Sequence, residues 1–507
     1  MKKKIFLLFM LPILGFIGCE KKLEIVPAFV AVEEVALRTM DGVDAAVGYS
    51  YFFTMANMIH HTHWSVLMSD EIYYKPDNYP NYLNFYKRDL RAVAEETMTP
   101  TDLRGVNNIK LREMYNSINT ATLTLRAVQN DIAKNDRDFA ANKDRVMGEC
   151  YFVRAVCHFQ LVKLFAKAWG ATPDNSHPGI IINEEPVSDR ESQIKRRATV
   201  AQVYAFIIDD LIKAGQLLPE RFIPGVHSPN YNGRAYRDAA RGVLARVYFQ
   251  QQNYVKAREV IDRTIGSTPG SLSRHALHPD VTGVWVMSGE EQDLTNSEVI
   301  WMDTKPNAGN GHSHWWNSQG YSLFKAFTIA TAGTIVNAQG VNSVASTSFE
   351  KLAKFSNKAP YIDQRKVQLF RTLSSGELMP AKYGFLAQVS LPLIRSAELV
   401  LSRAEIYAMD NNIDAAVKDC NVTRLRAGIS PLLPTINQAD LLDSIRTERL
   451  RELAFEGDRL WNLKRLKLDI PPGNRPSVAP LPWDGLETVL KYFLPEQDKN
   501  PLLENNY

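Results

Sequence analysis

The sequence predicts a mostly α-helical protein, a tetratricopeptide-like helical scaffold with long irregular loop insertions. Long stretches with apolar residues at helical spacing alternate with polar, proline-containing loops. Two phrases, GVLARVYFQQQNYVKAREVI and LSRAEIYAMDNNIDAAVKDC, repeat one spacing: Ala245, Tyr248 and Ala257 in the first, Ala404, Tyr407 and Ala416 in the second. These are the small–aromatic–small offsets of a tetratricopeptide helix pair. Small residues let two helices approach, and the tyrosine fills the notch between neighbouring pairs. Ordinary antiparallel helices could mimic the pattern. The stretch between the copies is rich in Gly, Ser, Thr and Asn, so an insert must leave the scaffold and return. The scaffold is expected over about 33–267 and 391–468, and the insert over about 268–390.

At the N-terminus Lys2, Lys3 and Lys4 precede an apolar run over 5–17 with one Pro12, then Gly18 and Cys19. The run is too short to span a bilayer comfortably. Residues 1–18 have the shape of a secretory signal peptide. A small residue before cysteine resembles a bacterial lipobox, although Phe16 is an uncommon choice three positions before Cys19. Cys19 would then be the lipidated first residue; in an ordinary signal peptide it is incidental. No later stretch is long and apolar enough for a transmembrane helix, so the mature protein is expected to be anchored to a membrane, not embedded in it. Formal net charge is +3, and the three N-terminal lysines account for all of it. A neutral mature chain gives no long-range attraction to phosphate backbones, which argues against a nucleic-acid partner. Cys150, Cys157 and Cys420 are an odd number without metal-ligand spacing, and read as buried thiols.

Residues 22–30 read as a tether and 33–58 as a helix. Residues 60–97 read as a loop-like, aromatic-rich segment with Trp64, Tyr73, Tyr74, Tyr79, Tyr82, Phe85 and Tyr86. Helices are expected over 107–134 and 143–168, with a loop over 170–197. Thr199 with Gln202 three residues later makes a capping box for a helix ending near Leu218. Within the insert, 281–287 and 298–302 read as short strands, and 307–321 packs Trp315, Trp316 and Tyr321 among Gly and Asn.

The densest stretch is SIRTERLRELAFEGDRLWNLKR, residues 444–465. Glu448, Glu452 and Glu456 follow one another at spacings of four on a helix face, with Arg449 three before Glu452. Gly457 is expected to stop the helix, with a short helical piece carrying Trp461 after it. The mixture fits a partly buried ion-pair network or a solvated face laced with surface pairs. Ile445, Glu448, Arg449, Glu452, Leu453, Glu456, Gly457, Arg459, Leu463 and Arg465 also match a family pattern, I-x-x-E-R-x-x-E-L-x-x-E-G-x-R-x-x-D-L-x-R, with Asn462 in place of the aspartate. The stretch resembles the C-terminal signature of the SusD/RagB family of outer-membrane lipoproteins. The phrase YFVRAVCHFQLVKLFAKAWG resembles the family's R-A-x-x-x-F-x-L-V helix. SEVIW resembles another family phrase, and the tail from Pro495 to Asn500 the family's terminal motif, two residues short.

The resemblance implies a mostly helical single domain over 19–507, lipid-anchored through Cys19 on the exterior face of the outer membrane. It implies a nutrient-binding protein without catalysis or cofactor, working with a SusC-like TonB-dependent transporter. Glycans are the commonest ligands in the family, and peptides are known too. The signature residues would be structural.

Exposed tryptophan and tyrosine rings stack on the apolar faces of sugars, with polar neighbours for the hydroxyls. The candidate ligand-binding residues are Asp70, Tyr73, Tyr74, Tyr79 and Tyr82 in one segment and Trp315, Trp316 and Tyr321 in the other. Against this, any one of these rings could belong to the core. The clusters His60, His61, His63 and His312, His314 would suit a metal only if their loops met on extended backbone; loop histidines ordinarily make hydrogen bonds, and no metal is expected. There is no P-loop, dinucleotide fingerprint, G-x-S-x-G or H-E-x-x-H. The reading from another class is a tetratricopeptide adaptor whose grooves bind a protein partner and no small ligand.

Overall fold

The computed structural model describes residues 35–74, 83–90, 103–221, 233–285, 298–303, 343–345, 347–372, 378–382, 391–475, 478–492 and 494–506. The first part of the scaffold is a run of helices: α1 (Met40–Met68), α2 (Leu103–Gln129), α3 (Phe139–Phe165), α4 (Val200–Leu217), α5 (Arg237–Gln250) and α6 (Tyr254–Ile265). From α1 to α6, each helix packs against the next. The capping box predicted for α4 is present: Thr199 Oγ1 accepts from the Gln202 N–H, and the Gln202 side chain accepts from the Thr199 N–H. In α3 the guanidinium of Arg154 grips Asp210 of α4 through two bonds of 2.7 Å, both groups buried.

One boundary differs from expectation. α1 continues through the histidine cluster to Met68, ten residues beyond the expected end. His60, His61, His63 and Trp64 are all buried there, and Trp64 stacks on Phe85 at 4.9 Å. This last part of α1 is enclosed nearly all round. A helix buried on every side shows no apolar stripe, which is why its sequence read as a loop. The histidines therefore sit on helical backbone, and His61 Nδ1 lies 3.4 Å from Gln160 Oε1. No cluster able to hold a metal occurs among the described residues.

The two repeat copies form matching helix pairs, α5–α6 and α7 (Ser396–Met409) with α8 (Ile413–Arg426). All six spacing residues are buried. Both turns use the same chemistry: a left-handed residue (Gln252, φ 60°; Asn411, φ 57°) followed by an asparagine N-cap, Asn253 or Asn412. The N–H of each capping asparagine donates to the carbonyl of the notch tyrosine, Tyr248 or Tyr407. α6 packs on α7, so pairs distant in sequence are adjacent in space. Arg403 of α7 ties them, binding Asp419 of α8 at 2.7 Å and Asp262 of α6 at 3.0 Å.

The insert leaves and returns on one ladder, β2 (Val299–Asp303) antiparallel to β8 (Leu391–Arg395). Trp301 of β2 is fully buried, edge-on to Phe152 of α3 at 4.8 Å. Residues 283–285 form a 3-10 turn where a strand was expected, and 286–287 lie outside the described residues. Three further two-stranded ladders are β1 (Ile72–Tyr74) with β3 (Ser343–Ala345), β4 (Asn357–Lys358) with β5 (Tyr361–Ile362), and β6 (Phe370–Thr372) with β7 (Leu378–Pro380).

The signature stretch forms α9 (Gln438–Glu452) and α10 (Asp458–Arg465). α9 ends five residues before Gly457, because its last carbonyl is taken by cations: Glu452 O accepts from Lys382 Nζ at 2.8 Å and Arg395 Nη2 at 2.7 Å. Gly457, left-handed at φ 80°, starts α10 instead of stopping α9. Cys150, Cys157 and Cys420 are buried free thiols, as expected. None of the described helices is long and apolar enough to cross a membrane.

Candidate functional site

The C-terminal end of α1 is a braced platform. Its last carbonyls and the next are gripped by two arginines: Arg88 donates to Met68 O at 2.8 Å and Ser69 O at 3.1 Å, and Arg475 donates to Leu67 O at 2.5 Å and Ser69 O at 2.9 Å. A helix C-terminus carries partial negative charge, so guanidinium forks suit it. Arg88 also reaches Pro471 O at 2.6 Å, and the Arg475 guanidinium lies 4.3 Å from the Tyr86 ring. Residues near the two ends of the chain thus fasten one another here.

Asp70 was expected to meet ligand hydroxyls. It is only 1% exposed, and its two oxygens accept from Arg459 of α10 at 2.8 and 3.0 Å. It braces α10 against the platform, because a buried carboxylate beside a guanidinium gains more from that fork than from solvent. Glu71 is buried beside it, accepting from the Phe455 N–H at 2.8 Å and the Ser69 hydroxyl at 3.0 Å. Burial pushes its carboxyl up to about 7. Phe85 and Tyr86 are core residues.

From this platform β1 emerges and pairs with β3 in the register Ile72↔Ala345, Tyr73↔Val344, Tyr74↔Ser343. Tyr73 is half-buried, edge-on to Tyr86 at 6.4 Å. Tyr74 ends β1 and directly precedes residues 75–82; Ser343 begins β3 and directly follows residues 304–342. Since the strands are antiparallel, both segments join the ladder at the same end. Tyr79, Tyr82, Trp315, Trp316 and Tyr321 belong to those segments and lie outside the described residues, as do Cys19, His312 and His314.

Beside the platform, the signature residues form a buried ion-pair network. Arg365, itself 1% exposed, bonds Asp363 at 2.9 Å, Glu448 at 2.7 Å and Glu452 at 3.0 Å. Arg395 bonds Glu298, Glu452 and Glu456 at 2.6–2.7 Å, and Arg426 reaches Glu298 at 3.1 Å and Glu452 at 2.5 Å. Burial opposes the Glu452 charge, but Arg426, Arg395, Arg365 and Lys382 together hold its carboxyl well below the usual carboxylate range. Of the two readings left open by the spacing, the buried network is the one observed. Of its partners, Glu298, Asp363, Arg365 and Lys382 come from the insert and Arg395 from the strand β8 that follows it, and no spacing singled them out.

Two family models match. One, described as starch-binding associating with outer membrane, covers residues 75–249, and the other, the SusD family, covers residues 385–500. SusD-like protein P2 of Formosa agariphila is 24% identical over 92% of this chain and 91% of its own length. A SusD superfamily protein of Bacteroides thetaiotaomicron superposes with a TM-score of 0.71 at 17% identity, covering 92% of this chain and 100% of that one. A SusD-like carbohydrate-binding protein of Bacteroides vulgatus does so with a TM-score of 0.67 at 18% identity, covering 91% and 96%. With matches on both halves of the scaffold, the shared helical fold and the signature network in place, the chain belongs to the SusD/RagB family.

Proposed function

We propose that the protein captures a glycan at the cell surface and passes it to a SusC-like TonB-dependent transporter for import. Residues 1–18 direct export, Cys19 carries the lipid that holds the chain to the outer membrane, and residues 19–507 form one binding domain. The observation that supports this reading is the β1–β3 ladder, since the chain runs from one end of it directly into both aromatic segments. Tyr73, Tyr74, Tyr79, Tyr82, Trp315, Trp316 and Tyr321 then supply rings for stacking on sugar faces. The starch-binding description of the matched model and the carbohydrate binding of the Bacteroides vulgatus relative support a glycan over a peptide. The protein binds its ligand without converting it.

Calorimetric titration of the mature protein with oligosaccharides tests the site. Replacing Trp315→Ala together with Trp316→Ala weakens glycan binding about tenfold or more, about 1.4 kcal/mol. Unchanged affinity in the folded double variant rejects the site, and a peptide ligand or a hydrolysed glycan in the same assay rejects the ligand class or the non-catalytic role. For the partner, the lipidated protein used as bait recovers a large TonB-dependent barrel from detergent-solubilised outer membranes. Recovery of only soluble partners transfers the function to the adaptor reading.

A further inference from the structure

Two adjoining cavities meet around the indole of Trp461 on α10. The larger, about 60 Å³, is bordered by Ser65 of α1, Gln160 of α3, Gln250 of α5 and the carboxylates of Glu398, Glu456 and Asp458. The smaller, about 20 Å³, is walled by Trp169, Tyr204 and Trp461 and bordered by Lys163, Lys167, Lys464 and Arg465. Lys163, Gln250 and Trp461 line both. The residues lining the smaller lobe include four cations and no carboxylate.

Arg465 is already satisfied by Glu405, Asn462 and the Tyr254 hydroxyl. The two lysines beside Trp461 are not. Lys464 is 2% exposed, with its ammonium 5.0 Å from the Trp461 ring centroid. Lys163 is half-buried, with its ammonium also 5.0 Å from that ring and 4.8 Å from the Phe159 ring. Among the described residues neither ammonium has a hydrogen bond or an ion pair. Ring contacts contribute about 1–2 kcal/mol, less than the several kcal/mol that an unpaired buried ammonium costs. Burial accordingly pushes both amines down to about 7. Arg246 lowers Lys163 further while Glu398 and Asp458 act against it, and Asp484 is the acid facing Lys464. The smaller lobe is large enough for one or two oxygen atoms and lacks the negative charge that would settle its lysines.

We propose that this lobe receives one or two oxygen atoms of a small oxyanion, a carboxylate, sulfate or phosphate group whose remainder lies in the adjoining larger lobe, held by Lys163, Lys167 and Lys464 beside the Trp461 ring. The group arrives free in solution or as the acidic substituent of a sugar, whose hydroxyls then face Ser65, Gln160 and Gln250 in the larger lobe. The site shares no residue with the loop aromatics and does not rest on glycan capture there.

The test is calorimetric titration of the mature protein with sodium sulfate, sodium galacturonate and, as a neutral control, galactose, all at one ionic strength. Saturable binding of an anion is expected, weakened about tenfold or more in Lys163→Gln and in Lys464→Gln. Lys464→Met, which keeps the apolar stem, has the same effect and guards against a folding defect of the amide variant. Binding also weakens as pH rises from about 6 to about 8, because the ammoniums lose their protons through that range. Any heat from galactose is untouched by the variants. Equal binding of both anions identifies a free-oxyanion site, and binding of galacturonate alone an acid-sugar site. No binding of either anion, or anion binding that the folded variants leave unchanged, overturns the proposal.

Discussion

Glu71 and Glu452 are both enclosed by the fold, and their carboxyl groups are driven in opposite directions by what surrounds them. Around Glu452, four cations outweigh desolvation. Its folded pKa lies below the unfolded value, so its contribution is complete at neutral pH and lost as pH falls below the ordinary carboxylate range. Glu452→Gln leaves Arg365, Arg395 and Arg426 buried with a charge missing, and is expected to cost about 3–5 kcal/mol. An unchanged urea midpoint in that variant refutes the central role given to Glu452. At Glu71 desolvation wins, helped by Asp70, while Arg459 acts against it and is itself committed to Asp70. Its pKa rises on folding to about 7, so its contribution is complete below about pH 4.5 and lost as pH rises toward 7. Glu71→Gln is therefore expected to stabilise the protein by about 1–3 kcal/mol near pH 8 and to change little near pH 4, measured by urea unfolding at both pH values. Equal effects at the two pH values contradict the shift. The spacing of Glu448, Arg449, Glu452 and Glu456 showed in the sequence that charge is concentrated on this helix. It did not show the sign of the outcome at any carboxylate, because that depends on Arg365, Lys382 and Arg395, which reach it only through tertiary structure.

Elements with a periodic face or a repeated spacing were legible, and elements buried on all sides were not. The helix pairs α5–α6 and α7–α8 follow from the alanines and tyrosines at equal offsets, and the capping box located α4 to within a residue of its start. α1 runs ten residues past the end its sequence suggests, because its final turns bury His60, His61, His63 and Trp64 as fully as its apolar residues and so carry no stripe. Gly457 was legible as a backbone singularity, but its purpose is set by α1. A Cβ at this position would lie 3.1 Å from the Thr62 Cα and 3.3 Å from the Thr62 carbonyl oxygen. The glycine lets α10 close on α1, where Trp461 Nε1 donates to Ser65 Oγ at 2.9 Å. Gly457→Ala combines a left-handed strain with contact against helix backbone, and is expected to cost about 1–3 kcal/mol. Unfolding at a lower urea concentration than in the parent protein, followed by near-ultraviolet circular dichroism, is the readout; an unshifted transition shows that α10 does not depend on this close approach.

At the scale of the whole molecule, the long insert is held by two short ladders placed at different depths of the fold. β2–β8 closes it against the scaffold, next to the ion-pair network, and β1–β3 joins it to the chain leaving α1. Neither pairing was legible in the sequence. Strands of three to five residues carry little periodic signal, and the partners are separated by about ninety to more than two hundred and seventy residues. Yet the candidate binding site depends on β1–β3, because without it the two aromatic segments have no common root. The pairing can be tested directly. Residues opposite each other on antiparallel strands have Cα atoms about 4.5–5.5 Å apart, within the reach of a disulfide. Ile72→Cys with Ala345→Cys, a pair outside the proposed stacking rings, is therefore expected to form a crosslink under mild oxidation, detected as a joined peptide by mass spectrometry, while Cys150, Cys157 and Cys420 stay reduced in their buried positions. If the aromatic segments act together, the crosslinked protein retains its glycan affinity, since the bond fixes an arrangement already present. A crosslink that abolishes binding separates the ladder from the binding-competent state. A folded double variant that never crosslinks removes the ladder, and with it the reason to treat the two segments as one site.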